Sequence, residues 1–241
     1  MKAYILAGGF GTRLQSALDG QAIPKPMAPI AGKPFLAYLL DYLKAQGVTA
    51  CYLGVHHHRD CIMDYFGNHY HDMPIFYIVE DEPLGTGGGI RLALEKIGGD
   101  TPILVLNGDS FITFDLKQFY DQHHGILSLL LTRLENTDRY GSVTIDAQQR
   151  ILGFAEKMPG KAGFINAGVY LMSPALFKNY SSLPPAFSLE TDFLMPNLAD
   201  LSPATMVTSG YFIDIGIPED YHRAQQELPA VVRTSCQKLS F

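Results

Sequence analysis

Two cations and a glycine turn near the start of the chain are the first residues whose types and spacing suit a definite chemistry. Leu6-Ala7-Gly8-Gly9-Phe10-Gly11-Thr12-Arg13-Leu14 is followed by Pro24-Lys25-Pro26-Met27. Glycines lack a Cβ, so backbone N–H groups can approach phosphate oxygens and point at them. Arg13 and Lys25 add fixed positive charge of the kind a triphosphate needs. Taken alone, such a loop also reads as a tight strand-to-helix turn with two solvated cations. Two other phosphate motifs are excluded. The Gly-Lys-Ser/Thr ending of a P-loop is missing. The dinucleotide fingerprint fails because Leu14 stands at its third glycine position and no acidic residue closes the strand ending near Val55-His56, which argues against a dehydrogenase.

Asp109 and Asp214 are the second set. Mg²⁺ takes hard oxygen ligands, usually one or two carboxylates beside phosphate oxygens and water. Each aspartate ends an apolar run, so a fold can bring the two together despite their separation. An aspartate after a strand is also a common turn or helix cap, and residue type alone leaves both readings open. A third set is Tyr140-Gly141, Glu156-Lys157, Asn166 and Glu190. It offers one cation, Lys157, suited to a phosphate, beside hydrogen-bonding groups on Glu156, Asn166 and Glu190 suited to hydroxyls. Lys157 by itself reads as a solvated loop lysine.

These residues must be positioned by regular elements. Ala3–Ala7 reads as a buried strand running into the glycines, Ala50–Val55 as a second strand, Ile75–Val79 as a third, and Pro102–Leu106 as a fourth ending at Asn107-Gly108-Asp109. Helical spacing marks Phe35–Gln46 before Gly47, Cys61–Phe66, and Gly88–Ile97. Alternating strands and helices predict an α/β fold: a Rossmann-like, mostly parallel central sheet with helices on both faces. Ligands of such sheets bind beyond the carboxyl ends of the strands, where the glycine turn and Asp109 both fall. The second half reads differently. Strands at Ser128–Arg133, Ser142–Ile145, Ile151–Glu156 and Ala167–Met172 predict a mixed or antiparallel extension; Ala204–Ile215 gives a final strand or pair and Pro218–Glu227 a closing helix. The expected organisation is one domain over 1–228, with a first part to about 125 and a second over 126–228. A loosely held tail is expected from 229 to 241.

Composition narrows the class. The 241 residues, 47% hydrophobic and 17% charged, can bury a substantial core. A formal charge of −6, with 18 scattered Lys and Arg, argues against nucleic acid as a partner. No apolar run approaches the roughly 20 residues that span a bilayer, so no membrane partner is expected. Three cysteines without a CxxC pair suit reduced thiols in the cytoplasm. His56-His57-His58 reads as a polar loop, since strand neighbours face opposite ways, and His123-His124 as a helix end where positive charge suits the dipole.

The glycine turn with PKPM resembles the signature of the sugar-1-phosphate nucleotidyltransferases. Further segments match in the same order: Glu82-Pro83-Leu84-Gly85-Thr86-Gly87-Gly88, Leu106-Asn107-Gly108-Asp109, Phe154-Ala155-Glu156-Lys157, Asn166-Ala167-Gly168-Val169-Tyr170 and Phe212-Ile213-Asp214-Ile215-Gly216. The resemblance covers about residues 1–228. Lys25-Pro26-Met27-Ala28-Pro29-Ile30 and Asn107-Gly108-Asp109-Ser110-Phe111 are most similar to the D-glycero-D-manno-heptose 1-phosphate guanylyltransferase branch. The departure at Gln15-Ser16-Ala17-Leu18 from the Arg-Pro-Leu-Thr of many relatives points the same way.

The resemblance implies transfer of a nucleoside monophosphate from an NTP, GTP by the branch match, to a sugar 1-phosphate with release of pyrophosphate. It implies Arg13 and Lys25 as catalytic residues and Asp109 and Asp214 as ligands of Mg²⁺. The nucleotide would be held by Leu6, Ala7, Gly8, Gly9, Gly11, Thr12, Arg13, Lys25, Gly85, Thr86 and Gly108. The acceptor would be held by Asn107, Tyr140, Gly141, Glu156, Lys157, Asn166 and Glu190. Surface-polysaccharide synthesis is the implied setting, and a homo-oligomer is compatible because relatives often form dimers. A hexose-1-phosphate transferase using GTP, UTP, dTTP or CTP is the neighbouring alternative, and a non-catalytic sugar-nucleotide sensor the more distant one.

Overall fold

The computed structural model describes residues 1–9, 23–155 and 161–239. Its first half runs β1 (Lys2–Leu6), β2 (Pro29–Ile30), β3 (Lys33–Pro34), α1 (Phe35–Ala45), β4 (Ala50–Val55), α2 (Arg59–Phe66), β5 (His69–Tyr70), β6 (Met73–Val79), α3 (Gly85–Ile97), β7 (Ile103–Asn107), β8 (Ser110–Ile112) and α4 (Leu116–Asp121). The second half continues with β9 (Leu127–Leu134), β10 (Ser142–Ile145), β11 (Ile151–Ala155), β12 (Gly163–Met172), α5 (Leu198–Leu201), β13 (Ala204–Thr208), β14 (Phe212–Asp214) and α6 (Pro218–Leu239). The fold is α/β, with a mostly parallel central mixed sheet and accompanying helices.

The chain forms two compact units that interleave in sequence. The first comprises Met1–Pro83, Leu106–Thr113 and Tyr211–Phe241; the second comprises Leu84–Val105 and Phe114–Gly210. A single division near residue 125 therefore does not describe the chain. Non-local pairing overrides chain order: β14 pairs with β8 in the first unit, and α3 packs on the segment around 189–194 in the second.

In the first unit, β1 pairs in parallel with β4, and β4 with β6. The apolar run Ala3-Tyr4-Ile5 is fully buried, as expected of a parallel strand covered on both faces. The fit is tight enough that a Cβ on Gly54 would overlap the Tyr4 hydroxyl. Helix α1 buries Phe35, Leu36, Leu39, Leu40 and Leu43 and packs against α6.

Helix α6 corrects the expected tail. It continues from Pro218 to Leu239 with Pro229 inside it, and its Tyr221, Ala224, Leu228 and Val232 are buried at spacings of three and four. A mid-helix proline removes one backbone hydrogen bond and is costly on its own. Continued burial of the apolar stripe against the fold outweighs that local penalty.

The second unit is mostly antiparallel. Strand β12 pairs with β9 and β10, β10 with β11, and β13 lies parallel to β9. Between two partners, β9 is interior, and Leu127 to Thr132 are buried without alternation. Helix α3 starts at Gly85, three residues before the expected Gly88, so the glycines form its first turn. His123 also differs from expectation. Its Nδ1 lies 2.6 Å from the Ser128 hydroxyl, and burial first, then the neighbouring His124, pulls its pKa down, which favours a neutral ring over a helix-end cation.

Candidate active site

In the first unit, three residues from distant parts of the sequence meet. The Lys25 ammonium lies 2.8 Å from Asp109 Oδ2 and 3.1 Å from Asp214 Oδ1. Pro24-Lys25-Pro26-Met27 explains its placement: two prolines preset φ for one 3₁₀ turn over Lys25–Met27, closed by the Ala28 N–H on the Lys25 carbonyl. Pro26 and Met27 are buried, which anchors the turn and aims the lysine. The aspartates arrive through β8 and β14, whose antiparallel register sets Asp214 opposite Ser110, next to Asp109. Two backbone bonds fix them further: Ile215 N–H to the Asp109 carbonyl at 3.1 Å, and Gly216 N–H to Asp214 Oδ1 at 2.7 Å.

The lysine side chain is 13% exposed, against 42% for Asp109 and 24% for Asp214. The cation is thus the inner member and the carboxylates present their remaining oxygens outward. Asp109 Oδ1 and Asp214 Oδ2 have no partner among the described residues. One ammonium and two carboxylates leave a local charge of −1, and the donor set is all oxygen. That fits a divalent cation sharing its shell with phosphates. No group of three or more His, Cys, Asp or Glu capable of holding a metal occurs among the described residues, so a complete protein cage is not formed there.

The glycine turn lies in the same unit. A Cβ on Gly8 would sit 3.1 Å from the His56 backbone nitrogen, and one on Gly108 would sit 2.4 Å from the Leu6 carbonyl oxygen. Close backbone approach therefore demands glycine at 108, while at Gly8 the fit is tight. A Cβ on Gly9 would meet nothing within 4 Å among the described residues, so packing there does not require a glycine. Leu6 and Ala7 are committed to the fold: Gly108 N–H donates to the Leu6 carbonyl, and Ala7 N–H donates to the Gly54 carbonyl, both at 2.9 Å. His56 is held by its Nδ1, 2.8 Å from the Glu80 carbonyl oxygen, and His58 adopts a left-handed conformation at the start of α2. Asn107 closes β7, partly exposed.

In the second unit a different device operates. Residues 183–189 lie over the first turn of α3. A Cβ at Gly85 would meet the Phe187 carbonyl at 2.6 Å, one at Gly87 would enter the Phe187 ring, and one at Gly88 would meet the Pro185 carbonyl at 2.4 Å. Gly87 N–H donates to the Phe187 carbonyl (2.9 Å), Phe187 N–H to the Leu84 carbonyl (3.0 Å), and Leu189 N–H to the Thr86 hydroxyl (2.9 Å). Arg91 completes the clamp with hydrogen bonds to the carbonyls of Leu183, Pro184 and Pro185 and its guanidinium over the Phe187 ring. These glycines thus serve packing within the unit, a role the bare motif did not reveal.

This strap leads into a single π-helical turn, Leu189–Leu194, whose Leu189, Phe193 and Leu194 are buried while Glu190 is exposed. Asn166 Nδ2 donates to Glu190 Oε1 at 2.7 Å and to the Tyr170 hydroxyl at 2.6 Å. Tyr140 lies in the loop between β9 and β10, its N–H on the Thr137 carbonyl and its ring under the Arg139 guanidinium; Gly141 follows, exposed. Gly11, Thr12, Arg13, Glu156 and Lys157 lie outside the described residues. Sequence reasoning passed over Arg91, Tyr170, Phe187 and Gly216. Arg91 and Phe187 are read only through their partners, whereas Tyr170 and Gly216 stood inside matched segments.

A lysine locked between two aspartates at strand ends of an α/β sheet, beside a backbone turn made for close approach, suits an enzyme that moves a charged phosphoryl group. Comparison with known proteins specifies it. A family model described as nucleotidyl transferase matches residues 2–230, and the chain belongs to that family. It is 41% identical over 231 residues to the D-glycero-alpha-D-manno-heptose 1-phosphate guanylyltransferase of Aneurinibacillus thermoaerophilus, covering 95% of this chain and 98% of that protein. Its identity to the Campylobacter jejuni protein of the same name is also 41%, over 92% of this chain and 97% of that one. Among solved structures it matches HddC from Yersinia pseudotuberculosis complexed with GMP-PN, with a TM-score of 0.82 and 38% identity over 94% of this chain and 98% of the other. No described helix is long and apolar enough to cross a membrane.

Proposed function

We propose that this enzyme transfers GMP from GTP to D-glycero-D-manno-heptose 1-phosphate, giving a GDP-heptose and pyrophosphate. The observation that carries the reaction class is the Lys25 ammonium within hydrogen-bond reach of both Asp109 and Asp214. The choice of base and sugar rests on the two guanylyltransferase relatives and on the GMP-PN complex of the Yersinia protein.

The acceptor's phosphate is already anionic, so the nucleophile needs no general base. One of its oxygens forms a bond to the α-phosphorus of GTP while the bond from that phosphorus to the bridging oxygen breaks, and pyrophosphate leaves with the electron pair. The chain's task is alignment and charge neutralisation. Lys25 serves the α-phosphate region and the incoming phosphate, and Arg13 the triphosphate and departing pyrophosphate. Gly8, Gly9, Gly11 and Thr12 offer backbone to the nucleotide. Asp109 and Asp214 would hold Mg²⁺, in a family that generally uses a divalent metal. That ion would supply Lewis-acid stabilisation of charge developing on the phosphates. Lys157 takes the acceptor's phosphate, and Glu156, Tyr140, Gly141 and Glu190 its hydroxyls. Three cysteines outside any disulfide, with Cys51 buried, support a reducing cytoplasmic setting.

The test is pyrophosphate release from a matrix of GTP, ATP, UTP, CTP and dTTP against heptose, mannose and glucose 1-phosphates, with Mg²⁺ and with Mg²⁺ chelated. The expected result is GTP with the heptose acceptor, and no turnover without the metal. Preference for another pair moves the chain to a hexose branch. Binding without turnover on any pair makes it a sensor.

A further inference from the structure

Asn166-Ala167-Gly168-Val169-Tyr170 is a bulge in β12, and its geometry fixes what Asn166 can do. In a regular strand, residues four apart lie about 13 Å from each other and their side chains do not meet. Here Asn166 pairs with Leu131 and Tyr170 with Leu129, so β12 takes four steps where β9 takes two. Gly168, at φ 71°, absorbs the extra length in a conformation that favours glycine. The bulge folds the strand back enough for Asn166 Nδ2 to reach the Tyr170 hydroxyl at 2.6 Å.

Counting hydrogens settles the amide. Its two N–H bonds go to Tyr170 and to Glu190 Oε1, and its oxygen accepts from Gly168 N–H at 3.1 Å. The Gly168 donor fixes which end is oxygen, and both amide hydrogens are then used. Tyr170 is buried. Burial, then the charge of Glu190, pushes its phenol pKa up, keeping it protonated. Glu190 has its backbone pinned through Leu189 N–H on Thr86 and through the Ser188 cap of the π-helical turn, whose hydroxyl accepts from Thr191 N–H. Its carboxylate has Asn166 as its side-chain partner, and Glu190 Oε2 has none among the described residues.

We infer that Tyr170 and Asn166 are positioning residues that together hold Glu190 at a fixed angle, and that Glu190, through Oε2, is the group that selects among acceptor sugars by accepting from a hydroxyl. The inference rests on the reading that the second unit binds the sugar 1-phosphate, and it moves Asn166 from ligand to support.

Steady-state kinetics of Tyr170→Phe, Glu190→Gln and the double variant, with GTP and acceptor varied separately, test it; thermal melts accompany each. Tyr170→Phe keeps the ring and removes only the hydroxyl. It is expected to raise KM for the acceptor about tenfold, the size of one lost hydrogen bond, with KM for GTP and kcat within about twofold, and to narrow the preference between heptose and mannose 1-phosphates. Glu190→Gln is expected to do the same or more. The double variant should match Glu190→Gln alone, because Tyr170 acts only through that carboxylate. Multiplied effects in the double variant would overturn the positioning role, as would a normal acceptor KM in Tyr170→Phe while Glu190→Gln is impaired. A normal acceptor KM in Glu190→Gln would instead remove the sugar-binding reading of this unit. If Tyr170→Phe melts well below the parent, Asn166→Asp supplies the second arm: it turns a donor to Glu190 into a like charge, and an unchanged acceptor KM there overturns the inference.

Discussion

The two units prepare for ligands in opposite ways. In the first, an ammonium lies 2.8 and 3.1 Å from carboxylates of two distant segments, and the lysine is more buried than the carboxylates that hold it. In the second, the key contacts are mostly uncharged: an amide, a phenol, a hydroxyl and backbone groups, fixed by glycines over which a strap is pressed. A charged set works through the field it projects and is sensitive to the loss of any member. A neutral network works through position, so its failures appear as lost fit and lost stability before lost chemistry.

The largest effect expected to probe this contrast is Asp109→Ala. It should lower kcat by about 10³-fold, in the range seen when a preorganised electrostatic partner is removed, with the far-UV spectrum and melting curve unchanged within a few degrees. Near-normal turnover, read by pyrophosphate release, would remove the first unit from the chemistry. Lys25→Ala should cost about 10²-fold in kcat, and less in KM for the acceptor than in kcat. A pure KM effect would make the lysine a binding residue.

Gly88→Ala tests the second unit. A methyl group there meets the Pro185 carbonyl at 2.4 Å, so overpacking should destabilise by about 1–3 kcal/mol, seen as a lower denaturation midpoint. An unchanged midpoint would show that the strap yields freely. The smallest expected effect lies in the core of the first unit. Burial pushes the Cys51 thiol up to about 12, so at pH 8 it stays a protonated, shielded thiol. A maleimide should label the part-exposed Cys61 and Cys236 first, and labelling of Cys51 at their rate would mean that this core opens readily.

Much of this was legible in the chain. Periodicity placed β1, β4, β6, β7, β9, β10 and β11 to within a residue or two, because apolar runs bounded by glycine, proline and polar turns mark strands locally. Lys25, Asp109 and Asp214 were singled out from residue type and motif order, and the fold brings those three together. What stayed hidden follows one pattern. The family resemblance implies Gly85 and Thr86 as nucleotide residues, and it does not reveal that residues a hundred positions later pack on them. The resemblance implies Asn166 as an acceptor residue, and it does not reveal that its amide also bonds Tyr170 and Glu190. The helix was expected to end before Pro229, yet α6 runs through it because Leu228 and Val232 are buried.

The order of residues by itself determined the element types, the α/β class and the inventory of charged groups, since these follow from propensity, periodicity and chemistry over a few neighbouring positions. Only the tertiary structure decided which groups share a partner. A hydrogen bond has one donor and few acceptors, and a Cβ fits or clashes according to atoms brought in from elsewhere. Whether a glycine is free for a ligand or filled by Phe187, and whether an amide faces a substrate or a tyrosine, is fixed by contacts that chain-local signals do not carry.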